Sequence, residues 1–199
     1  MKMKYELKHW VWLLSLLWCC WGFADSPATL LQGVANHMIS ELEKNKSQLK
    51  SDPAVIHRIV DSVLLPYIDI NRMAGMVVGR QAWNAATPAQ RREFVTLFKR
   101  RVVNTYANAL ASYDDDKVVV YPLRGREANE RFVSVSSAII RKSGQKIGIS
   151  YKLLRVENRW KVYDFSIEGI SIVSNYHSQF ANALANGGIA NLNKQLVSR

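Results

Sequence analysis

Chemistry that depends on sulfur or imidazole is almost missing from this chain. Of its 199 residues only Cys19 and Cys20 are cysteine, and both fall inside an apolar run near the start. Without that run, no disulfide, thiolate nucleophile or cysteine-ligated metal is possible. Three histidines lie beyond it, His37, His57 and His177, in no recognisable ligand spacing. HExxH, the Walker loop and GxGxxG are all absent. Gly169-Ile170-Ser171 begins like a nucleophile elbow, but position 173 is Val where a second glycine is required. Acidic side chains are few, 16 against 27 Lys and Arg. Asp164 and Glu168 share a strand face by simple alternation, yet four residues of strand span about 13 Å, beyond the roughly 5–9.5 Å between paired glycosidic carboxylates. Asp114-Asp115-Asp116 lacks the glycine and distal glutamate of a calcium loop and reads as a solvated turn. These absences argue against an enzyme. An enzyme would need a buried Asp–His or Asp–Tyr pair, for which Asp164 beside Tyr163 is the one candidate.

A second long apolar run is missing as well. Lys2, Lys4 and Lys8 precede the run Trp10–Phe23, and Gly22 and Ala24 supply small residues before Asp25. This pattern predicts a signal peptide over residues 1–24, cleaved after Ala24, and export to the periplasm. The run has 14 residues, short of the roughly twenty of a membrane span. An uncleaved anchor is the alternative; lipidation at Cys19 fits poorly, because Trp18 stands where a small residue is usual. Residues 25–199 then form a single domain large enough for a packed core without disulfides. Its 24 basic and 15 acidic residues leave a net charge of +9. For an exported protein this excess suits anionic lipid surfaces or acidic protein partners rather than nucleic acid.

What the chain does have is two clear periodicities. From Pro27 to Leu49 the spacing is helical, with Leu30, Leu31, Val34, Met38 and Leu42 on one face. Asp52-Pro53 starts a second helix, which should end near Leu65-Pro66. Asp69 caps a third that carries Met73, Met76 and Val77. Thr87-Pro88-Ala89-Gln90 is a capping box, and it opens a long helix to about Tyr113. Phe94, Phe98, Val102 and Tyr106 lie on one face of that helix, with Arg91, Arg92, Lys99 and Arg100 on the others. The basic face reads as a solvated surface or as a docking face.

After Asp116 the period becomes two. Strands are predicted near 117–123, 131–142, 145–155 and 159–167. Ile149 and Tyr151 alternate with polar residues on the third, and Tyr163, Phe165 and Ile167 on the fourth. Glu168-Gly169 breaks the alternation, and Ile170–Asn186 reads as a helix with Ile170 and Ser174 one turn apart. Gly187-Gly188 stops it before a short last helix. The expected fold class is α+β, a curved antiparallel sheet of about four strands with helices packed on its apolar face.

Four stretches in this order resemble the MlaC family of periplasmic phospholipid-binding proteins, also called the toluene-tolerance family. They are I-V-D-S-V-L-L-P-Y-I-D-I (59–70), A-T-P-A-Q-R-R-E-F (86–94), T-Y-A-N-A-L-A-S-Y (105–113) and W-K-V-Y-D-F-S-I-E-G-I-S-I-V-S-N-Y (160–176). The resemblance implies a fold similar to nuclear-transport-factor-like and cystatin-like folds. It implies a soluble, monomeric phospholipid carrier that needs no cofactor and holds acyl chains between sheet and helices. Its partners would be an outer-membrane lipoprotein–porin complex and an inner-membrane ABC transporter, and its role the maintenance of outer-membrane lipid asymmetry.

On this reading Ile149, Tyr151, Tyr163, Phe165 and Ile167 form the sheet wall of a cavity. Phe94, Phe98, Val102 and Tyr106 form the helical wall, Met73, Met76 and Val77 a mobile side, and Ile170 and Ser174 the mouth. The plain alternative for each is ordinary core, and for the whole an envelope interaction module with a solid interior. A cavity of roughly 1,000 Å³ would separate the two.

Overall fold

The computed structural model describes residues 26–123 and 130–198; the expected signal peptide lies outside the described residues. Helix α1 (Pro27–Lys44) starts where the Ser26 hydroxyl accepts the Thr29 N–H, and it buries Leu31, Met38 and Leu42. Asp52 caps α2 (Pro53–Ile59), which runs through a π turn at Val60–Leu64 and a 3-10 turn at Leu65–Tyr67. Pro66 lies within that last turn, and the helical run ends there as the sequence predicts. Asp69 caps α3 (Ile70–Ala85), broken at Gly79 by φ 78°, ψ 155°. That backbone region is open essentially to glycine alone. The capping box is formed: Thr87 accepts the Gln90 N–H, Gln90 accepts the Thr87 N–H, and α4 extends over Pro88–Ala111.

The second half is an antiparallel meander: β1 (Lys117–Val120), β2 (Phe132–Ile140), β3 (Lys146–Val156), β4 (Arg159–Ile167) and β5 (Ile170–Ser171), in that spatial order. The fifth strand is the departure from expectation. Glu168 (φ 50°) and Gly169 (φ 79°) make a two-residue turn, so Ile167 and Ile170 pair across it. Two residues with positive φ are what a tight hairpin needs. Helix α5 (Ile172–Ala185) therefore begins two residues later than predicted, capped by Ser171. Helix α6 (Gly188–Val197) begins at the second glycine of the pair, with Gly187 as its N-cap.

A second departure lies inside β4. Its register against β3 slips at Lys152/Leu153: Leu153 faces Val162, Lys152 faces Asp164, and Tyr163 is the extra residue. A bulge of this kind moves every later side chain to the opposite face. Val162 and Phe165 consequently share one face although they are three apart. At the bulge the Asp69 N–H donates to the Val162 carbonyl at 2.8 Å, and Lys161 Nζ donates to the Pro66 carbonyl. The entry to α3 is thereby tied to the sheet.

At the other margin Gln32 on α1 covers the edge of β1. Its Nε2 donates to the Val118 carbonyl (3.1 Å) and its Oε1 accepts the Val120 N–H (2.9 Å). Three apolar clusters result. One joins α3, α4, α5 and α6, one joins α1, α2 and α4, and one joins α1 to the sheet through Leu31, Val133, Val135, Leu153, Trp160 and Val162.

Candidate functional site: an apolar cleft between sheet and helix

The register places Leu153 and Val162, Tyr151 and Phe165, and Ile149 and Ile167 in cross-strand pairs on one face of the sheet. Along this face burial falls off. Leu153 is fully buried and Val162 nearly so, both beneath α1. Tyr151, Phe165, Ile149 and Ile167 are only partly buried. Helix α4 shows a matching gradient: Phe94 and Phe98 are fully buried, but one to two turns later Val102 and Tyr106 are partly buried. The close backbone contacts of α4 are with α2, α3 and α6, while its approach to the strands is sparse. A partly buried apolar strip of α4 thus faces a partly buried apolar strip of sheet, and Val102, Tyr106 and Phe165 also pack against the core of α3, α4, α5 and α6. Tyr106 and Phe165 meet across this cleft, ring centroids 6.5 Å apart.

The electrostatics of the cleft are muted. Burial pushes the Tyr151 phenol up, only partly offset by Ser137 Oγ at 3.5 Å. Burial also raises Tyr106, with Tyr176 adding to it. Both phenols stay neutral through the physiological range, so they present polar tips without charge. Among the described residues no group of His, Cys, Asp or Glu could hold a metal ion.

Six of the predicted residues are placed on these two strips, Val102 and Tyr106 on α4 and Ile149, Tyr151, Phe165 and Ile167 on the sheet, and of these Tyr106 and Phe165 meet. The others lie elsewhere. Phe94 and Phe98 stack at 5.7 Å and meet Phe180 and Tyr176 edge-on, which makes them helical core. Met73 and Val77 belong to that same core, and Met76 is 41 % exposed on the other side of α3; they do not form a mobile wall. Tyr163 is carried by the bulge to the outer sheet face, edge-on to Phe132 at 6.2 Å. Ile170 and Ser174 do not share a helical turn. Ile170 sits in β5 and is 62 % exposed, while Ser174 lies on α5, its N–H donating to Ser171 Oγ.

Asp164, offered above as the acid of an enzyme pair, is 1 % exposed and fully engaged. It accepts from Ser171 Oγ (2.8 Å), Val173 N (3.2 Å) and Lys152 Nζ (3.2 Å). Glu168 is exposed and accepts from the Gly148 N–H. The pair holds a corner together and has no substrate-facing geometry. Two small hollows of about 170 and 410 Å³ lie among α4, α5 and α6, and neither is between sheet and α4.

Taken with the fold, this defines an α+β protein in which a partly buried apolar strip of an open antiparallel sheet faces a partly buried apolar strip of a long helix. The chain belongs to the MlaC family, whose model, described as MlaC protein, matches residues 32–198. It is 27% identical over 165 residues to the toluene tolerance protein ttg2D of Pseudomonas putida, covering 83% of this chain and 76% of that one. It is also 27% identical over 196 residues to the intermembrane phospholipid transport system binding protein MlaC of Haemophilus influenzae, covering 94% and 91%. A solved structure, the phospholipid-binding protein from Ralstonia solanacearum in complex with a phospholipid, superposes with a TM-score of 0.81 at 26% identity. That match covers 87% of this chain and 96% of the other. The family and the α+β fold expected from the sequence are both borne out.

Proposed function

We propose that this protein is a periplasmic phospholipid carrier, and that acyl chains occupy the cleft between the sheet and α4. The observation that carries this reading is the likeness to a protein solved with a phospholipid bound, across nearly the whole of that chain. The half-buried pairs Tyr151/Phe165 and Ile149/Ile167, facing Val102 and Tyr106, supply the apolar lining such a ligand requires. Two acyl chains carry roughly thirty methylenes, and exposing each costs about 0.8 kcal/mol, so an unshielded crossing would cost on the order of 20 kcal/mol. A carrier removes that barrier by solvation alone and needs no catalytic group. Among the described residues no helix is long and apolar enough to cross a membrane, in keeping with a shuttle.

Because Tyr106 and Phe165 lie within packing distance, chains can enter only if sheet and α4 separate. Shuttling between an outer-membrane lipoprotein–porin complex and an inner-membrane ABC transporter, in support of lipid asymmetry, completes the proposal, and directionality would come from the partners' differential affinities.

Native mass spectrometry of residues 25–199, purified without detergent, is the test. A mass increment identified as phospholipid after extraction is expected. A protein without lipid, unchanged after incubation with liposomes, would return the reading to an envelope interaction module.

A further inference from the structure

The hollow of about 170 Å³ is bounded by all three of α4, α5 and α6. Its floor is apolar, made by Phe180, Leu192 and Leu196. Its rim carries the amides of Gln179 and Gln195 and one cation, Arg101. The other charged residues of α4 make Arg101 stand out. Lys99 is paired with Asp61 at 3.0 Å, Arg91 stacks on Trp83 and donates to the Asn84 carbonyl, and Arg92 and Arg100 stand in solvent. Arg101 is half-buried, yet among the described residues its guanidinium has no carboxylate within 4.0 Å and no hydrogen-bond acceptor. A half-buried guanidinium beside apolar side chains, its donors met by solvent alone, is a good arrangement for receiving a carboxylate.

We propose that this hollow is a docking site for an acidic side chain of a partner protein. Three features favour that occupant over a lipid phosphate. A single cation ringed by neutral amides matches one negative charge, where phosphate sites gather several donors of like sign. The space suits one carboxylate side chain and a flanking apolar contact, and is far below the size of a glycerophosphate headgroup with its chains. The apolar floor takes the methylene stem of a glutamate. The site also lies on the helix that lines the cleft: Thr105, one turn after Arg101, shares a hydrogen bond with the Tyr176 hydroxyl at 2.8 Å. A partner held here grips α4 directly beside Val102 and Tyr106.

The test is an NMR titration of the intact chain with three probes: the acetylated, amidated tripeptide Leu-Glu-Leu, its Leu-Gln-Leu counterpart, and inorganic phosphate. The expected result is that the glutamate peptide shifts the side-chain amides of Gln179 and Gln195 at a concentration about tenfold lower than the glutamine peptide. Arg101→Gln should abolish that difference and Arg101→Lys should retain part of it. Equal response to the two peptides, or an Arg101→Gln protein that still discriminates, would overturn the assignment. Tighter binding of phosphate than of the glutamate peptide would overturn it in favour of a phosphate ligand. The site does not depend on the carrier reading. Lipid content of Arg101→Gln, read by native mass spectrometry, should match the parent, so failure of docking and failure of lipid binding can be told apart.

Discussion

Tyr106 and Phe165 face each other from helix and sheet at 6.5 Å, their planes tilted by 60°. Neither ring is fully buried, and both pack at the margin of the core that joins α3, α4, α5 and α6. Replacing either with alanine should cost about 1–3 kcal/mol, below the loss for a fully enclosed aromatic. If the cleft holds acyl chains, the double alanine variant should still fold and retain less lipid than either single variant. Urea unfolding together with quantitation of co-purified phospholipid measures both. Undiminished lipid in the folded double variant would remove this cleft from the binding site.

Ile170 tests the entrance separately. It is exposed at the β4–β5 turn, so Ile170→Glu should change stability by no more than about 0.5 kcal/mol. A charge placed there should lower lipid retention if chains pass this point. A folded Ile170→Glu protein with full lipid would place the entrance elsewhere.

Asp164 is the latch of the sheet-to-helix corner. Asp164→Ala leaves the Val173 N–H and the Ser171 hydroxyl buried without their acceptor. The expected loss is about 2–4 kcal/mol, visible as a lower urea midpoint at unchanged slope. Asp164→Asn, which keeps one acceptor oxygen, should lose less. A neutral Asp164→Ala would show that solvent reaches the corner.

Gly79→Ala isolates a backbone cost. The nearest atom to an added methyl is His177 Cε1 at 3.8 Å, so the space exists and the penalty of about 1–3 kcal/mol comes from φ alone. Part of the break is already compensated, since His177 Nδ1 donates to the Val77 carbonyl at 2.8 Å. Thermal unfolding should show the drop, and His177→Ala should add to it less than its own separate effect.

Three phenols set the alkaline limit. Burial, reinforced by the hydrogen bond to Glu43 at 2.8 Å, pushes Tyr113 far above its ordinary value; burial alone leads the rise at Tyr151 and Tyr106. Below pH 10 both folded and unfolded chains keep these protons, and stability is unaffected. Above it the unfolded chain ionises first and binds fewer protons, so stability falls by up to about 1.4 kcal/mol per pH unit for each group. Tyr113→Phe should flatten the fall measured by urea unfolding between pH 10 and 11. An unchanged slope would show that Tyr113 ionises equally in both states.

Most of the helical layer was legible because its boundaries are local chemistry. Asp52-Pro53, Asp69 and the Thr87–Gln90 box each satisfy orphan amides within a few residues, and each starts a helix where expected. The cleft was legible only in half. Alternation read forward from Tyr163 joined it to Phe165 and Ile167, but Trp160 and Val162 stand in the opposite parity. That change of parity is the trace of the bulge, and its meaning becomes clear only when β3 supplies the register. Phe94 and Phe98 were misplaced for a different reason. A helix face records that a side chain is apolar, not whether it meets a packed α5 or an open sheet. The docking hollow left no sequence signal, because Arg101, Gln179 and Gln195 come from three helices.

Gln32 carries a consequence for life at high concentration. A strand at the margin of a sheet offers its amides and carbonyls as a template on which another chain can grow. Here the Gln32 amide occupies one outward carbonyl, of Val118, and one outward N–H, of Val120, as a neighbouring strand would. At the opposite margin the chain's own Pro66–Asp69 segment and the two-residue β5 fill the place beside β4. A free edge of this kind puts a protein at risk of fibrillar aggregation. This one has both margins of its sheet partly capped, by a side chain at one and by its own loop and β5 at the other, which leaves little free edge for another chain to extend.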